Sequence, residues 1–183
     1  DVKHKRGLMV STGEFTIRYA NPQAHGEKRP DLVAAVMHYE VDHHVAWSHS
    51  AVFTWQLKPI DAFEQKIKTL FSTDFQVVGQ GNIDWHDVLT SDFSAPTLRY
   101  EQGGDMLALG PWQGDMLKDG LVFNFIVQSP EIDIKSQDTF LNVKNITFDV
   151  NLVDRLNGLG VSKLTFDDLS FPTTKAQGLT FIA

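Results

Sequence analysis

The chain has 183 residues, 42% of them hydrophobic, with 16 Lys plus Arg against 23 Asp plus Glu and a formal net charge of −7. Its length fits one domain with a real core, and its composition excludes a disordered chain. The acidic balance argues against nucleic acid, whose phosphates need neutralising, and the absence of cysteine excludes a disulfide framework, thiol catalysis and cysteine-ligated metal.

No apolar run reaches the roughly 18 to 20 residues of a membrane span. Lys3 to Arg6 is a short basic run that reads as solvated. Phe15, Ile17 and Tyr19 alternate with Thr16 and Arg18, which predicts a first strand. Asn21 to Asp31, with two prolines and a glycine, reads as a loop. Leu32 to Trp47 reads as a long strand. Its apolar face carries Val33, Ala35, Met37, Tyr39, Val41, Val45 and Trp47, and its polar face His38, Glu40, Asp42 and His44. After a break at Ser48 to Ser50, Phe53, Trp55 and Leu57 form the apolar face of a partner strand.

Pro59 to Phe71 is the one clear helix. Phe63, Ile67, Leu70 and Phe71 recur on one stripe. Asp61 is placed to cap it, with Glu64 as the reciprocal partner of a capping box. Almost everything else alternates with period two, so the expected fold is mainly β (α+β): an extended, strongly curved antiparallel sheet wrapped around one amphipathic helix over 60–72. A half-barrel resembling lipoprotein carriers is the alternative.

Phe75 and Val77 open the next strand, and Gly79 and Gly81 suggest a bulge or sharp bend in it. Asp84-Trp85-His86-Asp87 reads as a polar loop anchored by a buried Trp85. Leu98 and Tyr100 belong to a strand, Glu101 to Asp105 to a turn, and Gly110-Pro111 is a strong breaker. Leu121 to Gln128, apolar on both faces except at Asn124, reads as a strand near the sheet centre that ends at Ser129-Pro130. Two segments then echo each other, Leu141–Phe148 and Leu164–Phe171. In each, the apolar alternation skips one position at a polar pair, Lys144-Asn145 or Asp167-Asp168, and resumes on the opposite parity. Such a flip predicts a tight turn or a β-bulge. Asn145-Ile-Thr147 also fits a glycosylation sequon.

Candidate chemistry is sparse. There is no G-x-S-x-G elbow, no H-E-x-x-H and no Walker lysine, so no catalytic residue is assigned and no cofactor is implied. His38, Glu40 and His44 share one strand face and could ligate zinc or a similar ion. Set against this, such a face can also be ordinary solvent-facing alternation. Trp47, Trp55, Phe63, Ile67, Phe71 and Phe125 are the candidates for lining a groove for a lipid or another apolar ligand; the competing role is simple core filling. An exposed sheet edge would allow self-association or pairing with a protein partner.

Arg6-Gly-Leu-Met-Val-Ser-Thr12, the histidine-bearing strand at His43 and His44, Gly81-Asn-Ile-Asp-Trp85, Gly110-Pro-Trp-Gln-Gly114 and the two echoing segments give the chain a pattern that resembles the periplasmic part of the YdgA family. This is a bacterial family of unknown function. The resemblance spreads over most of the chain and implies a Gram-negative envelope protein. It also implies an inner-membrane anchor upstream of Asp1 and more periplasmic sequence after Ala183. The family carries a His-Gly-Pro-like turn where this chain has His43-His44-Val45, so no role transfers to that turn. The function expected is a non-enzymatic envelope module acting by protein contacts or by binding an apolar ligand, with a metal-binding domain, and then an envelope-polymer hydrolase, as alternatives.

Overall fold

The computed structural model describes residues 2–6, 9–19, 32–43, 50–136, 139–172 and 175–182. In chain order they form β1 (Val2–Lys5), β2 (Val10–Tyr19), β3 (Leu32–Asp42), β4 (Ala51–Pro59), α1 (Asp61–Phe71), β5 (Val77–Ile83), β6 (Leu89–Ala95) and β7 (Leu98–Gln102). They continue with β8 (Asp105–Leu109), β9 (Trp112–Asp119), β10 (Val122–Ser136), β11 (Thr139–Asp154), β12 (Leu159–Ser170) and β13 (Lys175–Ile182). Among the described residues the fold is mainly β: one strongly curved antiparallel sheet that does not close, with a single helix.

The main path of the sheet is β1-β2-β3-β4-β5-β6-β9-β10-β11-β12-β13. β10 is its spine. Its first half pairs with β9, from Val122↔Asp119 to Gln128↔Gln113, and its second half with β8, from Ile132↔Leu109 to Lys135↔Met106. Pro130 therefore does not end the strand as expected, because β11 pairs with β10 on both sides of it, at Ser129↔Ile146 and Glu131↔Lys144. β7 and β8 close that arm around Gly103-Gly104, both at positive φ (63° and 94°), the sign pattern of a two-residue type I′ hairpin turn.

A crease crosses the sheet at this level. It runs through the breaks between β6 and β7 and between β8 and β9, and through the unpaired Pro130. It continues through Asn145 (φ 50°), skipped in both its ladders, through Asp167, and through Gly178 (φ 62°). The expected parity flips at Lys144-Asn145 and Asp167-Asp168 lie on this crease; they are not one-sided bulges, because the register is the same on both sides and each facing strand carries its own unpaired residue. One extra residue in each strand returns Ile146 to the face of Val143, and Leu169 to the face of Phe166. Asn145 Nδ2 donates to Asp167 Oδ2 at 2.8 Å and ties the two unpaired positions together.

Following the register across every ladder gives two coherent faces. One is apolar, including Phe15, Tyr39, Trp55, Phe93, Phe125 and Phe148; the other is polar, including Glu14, His38, Glu40, Gln80 and Asp92. Ala95, Ser129, Ile146 and Phe166, on the apolar face at the crease, have exposures of 9% or less, and Ser11, Val36, Ala51 and Ser91 are buried away from it. Among the described residues the sheet is a single layer, in which only neighbouring strands touch. The surface area is 12307 Å², against roughly 8,900 Å² for a compact chain of this mass.

The helix does not supply a second layer. It lies against β3, β4 and β7, filling the notch beside β7 where β4 and β5 end. None of its residues is fully buried; Phe63, Ile67 and Phe71 are half-buried and Leu70 is 50% exposed. Asp61 does not cap it. The N-cap is Ile60, in extended conformation and without a side-chain cap bond, and Asp61 is the first helical residue, at φ 52°. This offset removes the capping box, so Glu64 pairs forward with Lys68 at 2.9 Å instead. Asp74 holds Lys68 from the other side at 3.0 Å, and Glu64 then Asp74 raise the lysine's pKa.

Candidate functional site

The apolar face is organised by one cross-strand row. It runs Gly13↔Tyr39↔Trp55↔Gly79↔Phe93↔Gly114↔Val127↔Phe148↔Leu164↔Phe181, each residue directly opposite the next on the neighbouring strand. Aromatic rings lie over the glycines. A Cβ built on Gly13 would collide with the Tyr39 ring, one on Gly79 with Trp55, and one on Gly114 with Phe93. In the adjacent row Phe53 covers Gly81. Gly79 and Gly81 therefore mark seats for rings rather than the bulge or bend expected, and the β4–β5 and β5–β6 ladders run through them without a shift.

The rings continue one another. Trp55 and Phe93 have centroids 6.0 Å apart, Phe93 and Phe125 stack at 5.5 Å, and Phe125 and Phe123 at 6.3 Å. Trp55 Nε1–H donates to the buried Ser91 Oγ at 2.9 Å, and Ser91 passes a bond on to the Gln80 carbonyl at 2.8 Å. The indole is thus pinned flat, with its one polar atom satisfied. At the far end of the row Phe148, Leu164 and Phe181 sit side by side and stay 40%, 36% and 58% exposed.

Of the expected apolar-ligand residues, Trp55 and Phe125 belong to this ring system. Phe63, Ile67 and Phe71 lie on the helix at the β7 notch, and Ile67 borders a small cleft there with Lys58, Pro59 and Phe75. The sheet rings and the helix stripe do not line a common cavity among the described residues. Trp47 and His44 lie outside the described residues.

The polar face carries a groove of about 970 Å³ across β1 to β6. Lys3 and Lys5 form one wall, His38, Glu14 and Glu40 the next stretch, and Gln80 and Asp92 the far side. The curvature thus makes a hollow lined by side chains that hydrogen-bond, and no helix residue lines it. Lys3 Nζ pairs with Glu14 Oε1 at 3.3 Å, and His38 Nδ1 stands 3.8 Å from Glu14 Oε2. His38 and Glu40 do share this groove, as their alternation predicts. Among the described residues no three His, Asp or Glu side chains converge as a metal site needs.

Two other histidines have defined partners. His43 Nε2 is 2.9 Å from Ser11 Oγ, the distance of a nucleophile and its base. Ser11, however, is only 2% exposed, on the apolar face, so a substrate has no approach to it. In the Asp84-Trp85-His86-Asp87 turn, the Asp84 carboxylate accepts the backbone N–H groups of Val88 (3.0 Å) and His86 (2.7 Å). Those bonds, Val88's first, hold its pKa below the usual carboxylate value. The carboxylate shapes the turn. Trp85 does not anchor it by burial as expected, being 53% exposed.

Sequence reasoning missed the glycine seats. The signal was there: Phe53-x-Trp55 faces Gly79-x-Gly81 at matching spacing. No family profile, no curated protein and no solved structure matches the chain.

Proposed function

We propose that the chain is a non-catalytic binding module of the bacterial envelope, periplasmic and membrane-tethered as its resemblance implies, whose apolar sheet face takes acyl chains or a comparable apolar ligand. The observation that carries this reading is the exposed row Phe148, Leu164 and Phe181. Three large apolar side chains directly opposite one another, with no second layer above them among the described residues, form a continuous apolar strip of the kind that marks an interaction surface. The pinned aromatics Trp55, Phe93 and Phe125 extend the strip inward as a flat, rigid floor. Acyl chains fit a surface that has apolar contact to offer and few polar groups to satisfy.

The test is extraction of the purified protein with organic solvent followed by mass spectrometry, together with titration of a fluorescent fatty acid. Bound lipid, and fatty-acid affinity that falls when Phe148 and Leu164 are changed to Ser in a protein that stays folded, support the reading. An empty protein that binds no fatty acid sinks it. A second reading, metal binding through His38 and Glu40, draws on their shared groove with Glu14 beside His38. Elemental analysis and a zinc-dependent rise in melting temperature, abolished by His38→Ala, test it.

A further inference from the structure

Three hairpins stand side by side in the sheet, β5–β6, β9–β10 and β11–β12, and each of their six strands is paired on both sides. One cross-strand row, Ile83↔Leu89↔Lys118↔Phe123↔Leu152↔Gly160, closes all three at the same level. Their turns therefore leave the sheet in one line along one end. Neighbouring strands lie about 4.8 Å apart, so successive tips are about 10 Å apart. Turns are ordinarily built from Gly, Asn, Asp and Ser. Each of these also carries a large apolar residue: Trp85 is 53% exposed, Leu121 47% and Leu156 70%, with Val153 and Leu159 exposed at the base of the last turn. Hydrogen bonds fix the tips. The Asp84 carboxylate takes two backbone N–H groups of the first turn. The Arg155 N–H donates to the Leu121 carbonyl at 2.9 Å and its Nε to the Gly120 carbonyl at 3.2 Å, which ties the second tip to the third. Asp154 accepts the N–H groups of Leu156 and Asn157 inside the third turn.

We infer that this rim docks on the surface of a bilayer of zwitterionic lipid, with Trp85, Leu121 and Leu156 seated among the headgroups. Three apolar points about 10 Å apart, with polar backbone between them, do not make the continuous complementary patch of about 800 Å² that a protein partner needs. A fluid interface closes around each point separately. Tryptophan suits that boundary, because its ring is apolar and its N–H can stay wet. Charge selects the lipid. Exposed Asp87 and Asp119 stand beside Trp85 and Leu121, and exposed Arg155 beside Leu156. The carboxylates match the ammonium of phosphatidylethanolamine and the guanidinium matches its phosphate, whereas an anionic headgroup would meet the carboxylates with like charge. The rim is separate from the apolar sheet face to which acyl binding is assigned above, and the two proposals fail separately.

The chain has no cysteine, so one introduced thiol carries a label to one place. Leu156→Cys bearing a polarity-sensitive fluorophore is expected to brighten and shift to the blue on vesicles of phosphatidylcholine and phosphatidylethanolamine. The same label on Gln102→Cys, exposed beside the β7–β8 turn at the opposite end, is expected to stay unchanged. In sedimentation with these vesicles, Leu121→Ser and Leu156→Ser, with circular dichroism unchanged, are each expected to weaken binding about tenfold, the worth of one large apolar side chain returned to water. Phe148→Ser, on the sheet face, is expected to leave vesicle binding as it was even where it lowers fatty-acid affinity. Four results each overturn the inference: no binding to these vesicles, binding that requires an anionic lipid, a loss with Phe148→Ser as large as with Leu156→Ser, or an equal response of the label at Gln102→Cys.

Discussion

Gly79→Ala isolates the ring-over-glycine arrangement. The new methyl would fall 2.6 Å from Cζ2 of Trp55, with Nε1 and Cε2 closer still, so the indole has to leave its seat. Leaving breaks the 2.9 Å bond to Ser91, a loss of about 1 kcal/mol. It also loosens the contact with Phe93, about 0.5 to 1.5 kcal/mol, and adds overpacking strain of about 1 to 3 kcal/mol. Against this, alanine is intrinsically better than glycine in a strand by about 0.5 to 1 kcal/mol. The net expectation is destabilisation of about 2 to 4 kcal/mol, a fall in melting temperature of about 4 to 15 °C for a chain of this size. Urea unfolding followed by far-ultraviolet circular dichroism measures it. The decisive comparison repeats Gly79→Ala in a Trp55→Leu background. With no indole to displace, the substitution should become neutral or mildly stabilising, reversing its sign. Equal cost in both backgrounds would refute the reasoning.

Three further outcomes follow from the backbone. Gly104→Ala, at φ 94° with open space around it, should cost about 1 kcal/mol or more from conformation alone, read as a lower urea midpoint. At the crease, Asn145→Gly keeps the left-handed conformation and loses only the exposed bond to Asp167, so it should stay within about 0.5 kcal/mol of the parent, whereas Asn145→Val should cost about 1 to 2 kcal/mol. Asp84 and Asp154 both have pKa values lowered in the fold, Asp84 by the Val88 and His86 N–H groups and Asp154 chiefly by the Asn157 side chain. Their contribution is complete above the ordinary carboxylate pKa and disappears as pH falls through the lower folded values. Melting temperature should therefore drop below about pH 4, and the drop should be shallower when Asp84 and Asp154 are both changed to Asn.

The parts of this architecture written in local alternation were legible. The skipped positions at Lys144-Asn145 and Asp167-Asp168 announced the crease, because a strand with one buried face cannot change parity without an extra residue. Pro130 misled for a related reason. A proline normally stops a central strand, but here the crease releases the backbone group that a ladder would have demanded. Gly79 and Gly81 were read as weak points because the aromatics that use them lie on another strand, and only the register unites them. The groove was out of reach for the same reason. His38 and Glu40 could be placed on one face from spacing, but Lys3, Gln80 and Asp92 join them only after six strands curve together. The helix was found correctly, and its stripe suggested a plug. Its role is smaller because it packs only against β3, β4 and β7.

The order of the strands has one more consequence. Apart from the β7–β8 arm, each strand neighbours the one before and after it in the chain, and among the described residues no central kernel gathers residues from both ends. Cohesion in such a ribbon accumulates link by link, much as in repeat proteins. Damage at one end should therefore fray that end alone, and lengthening the ribbon by further hairpins would leave its existing part undisturbed.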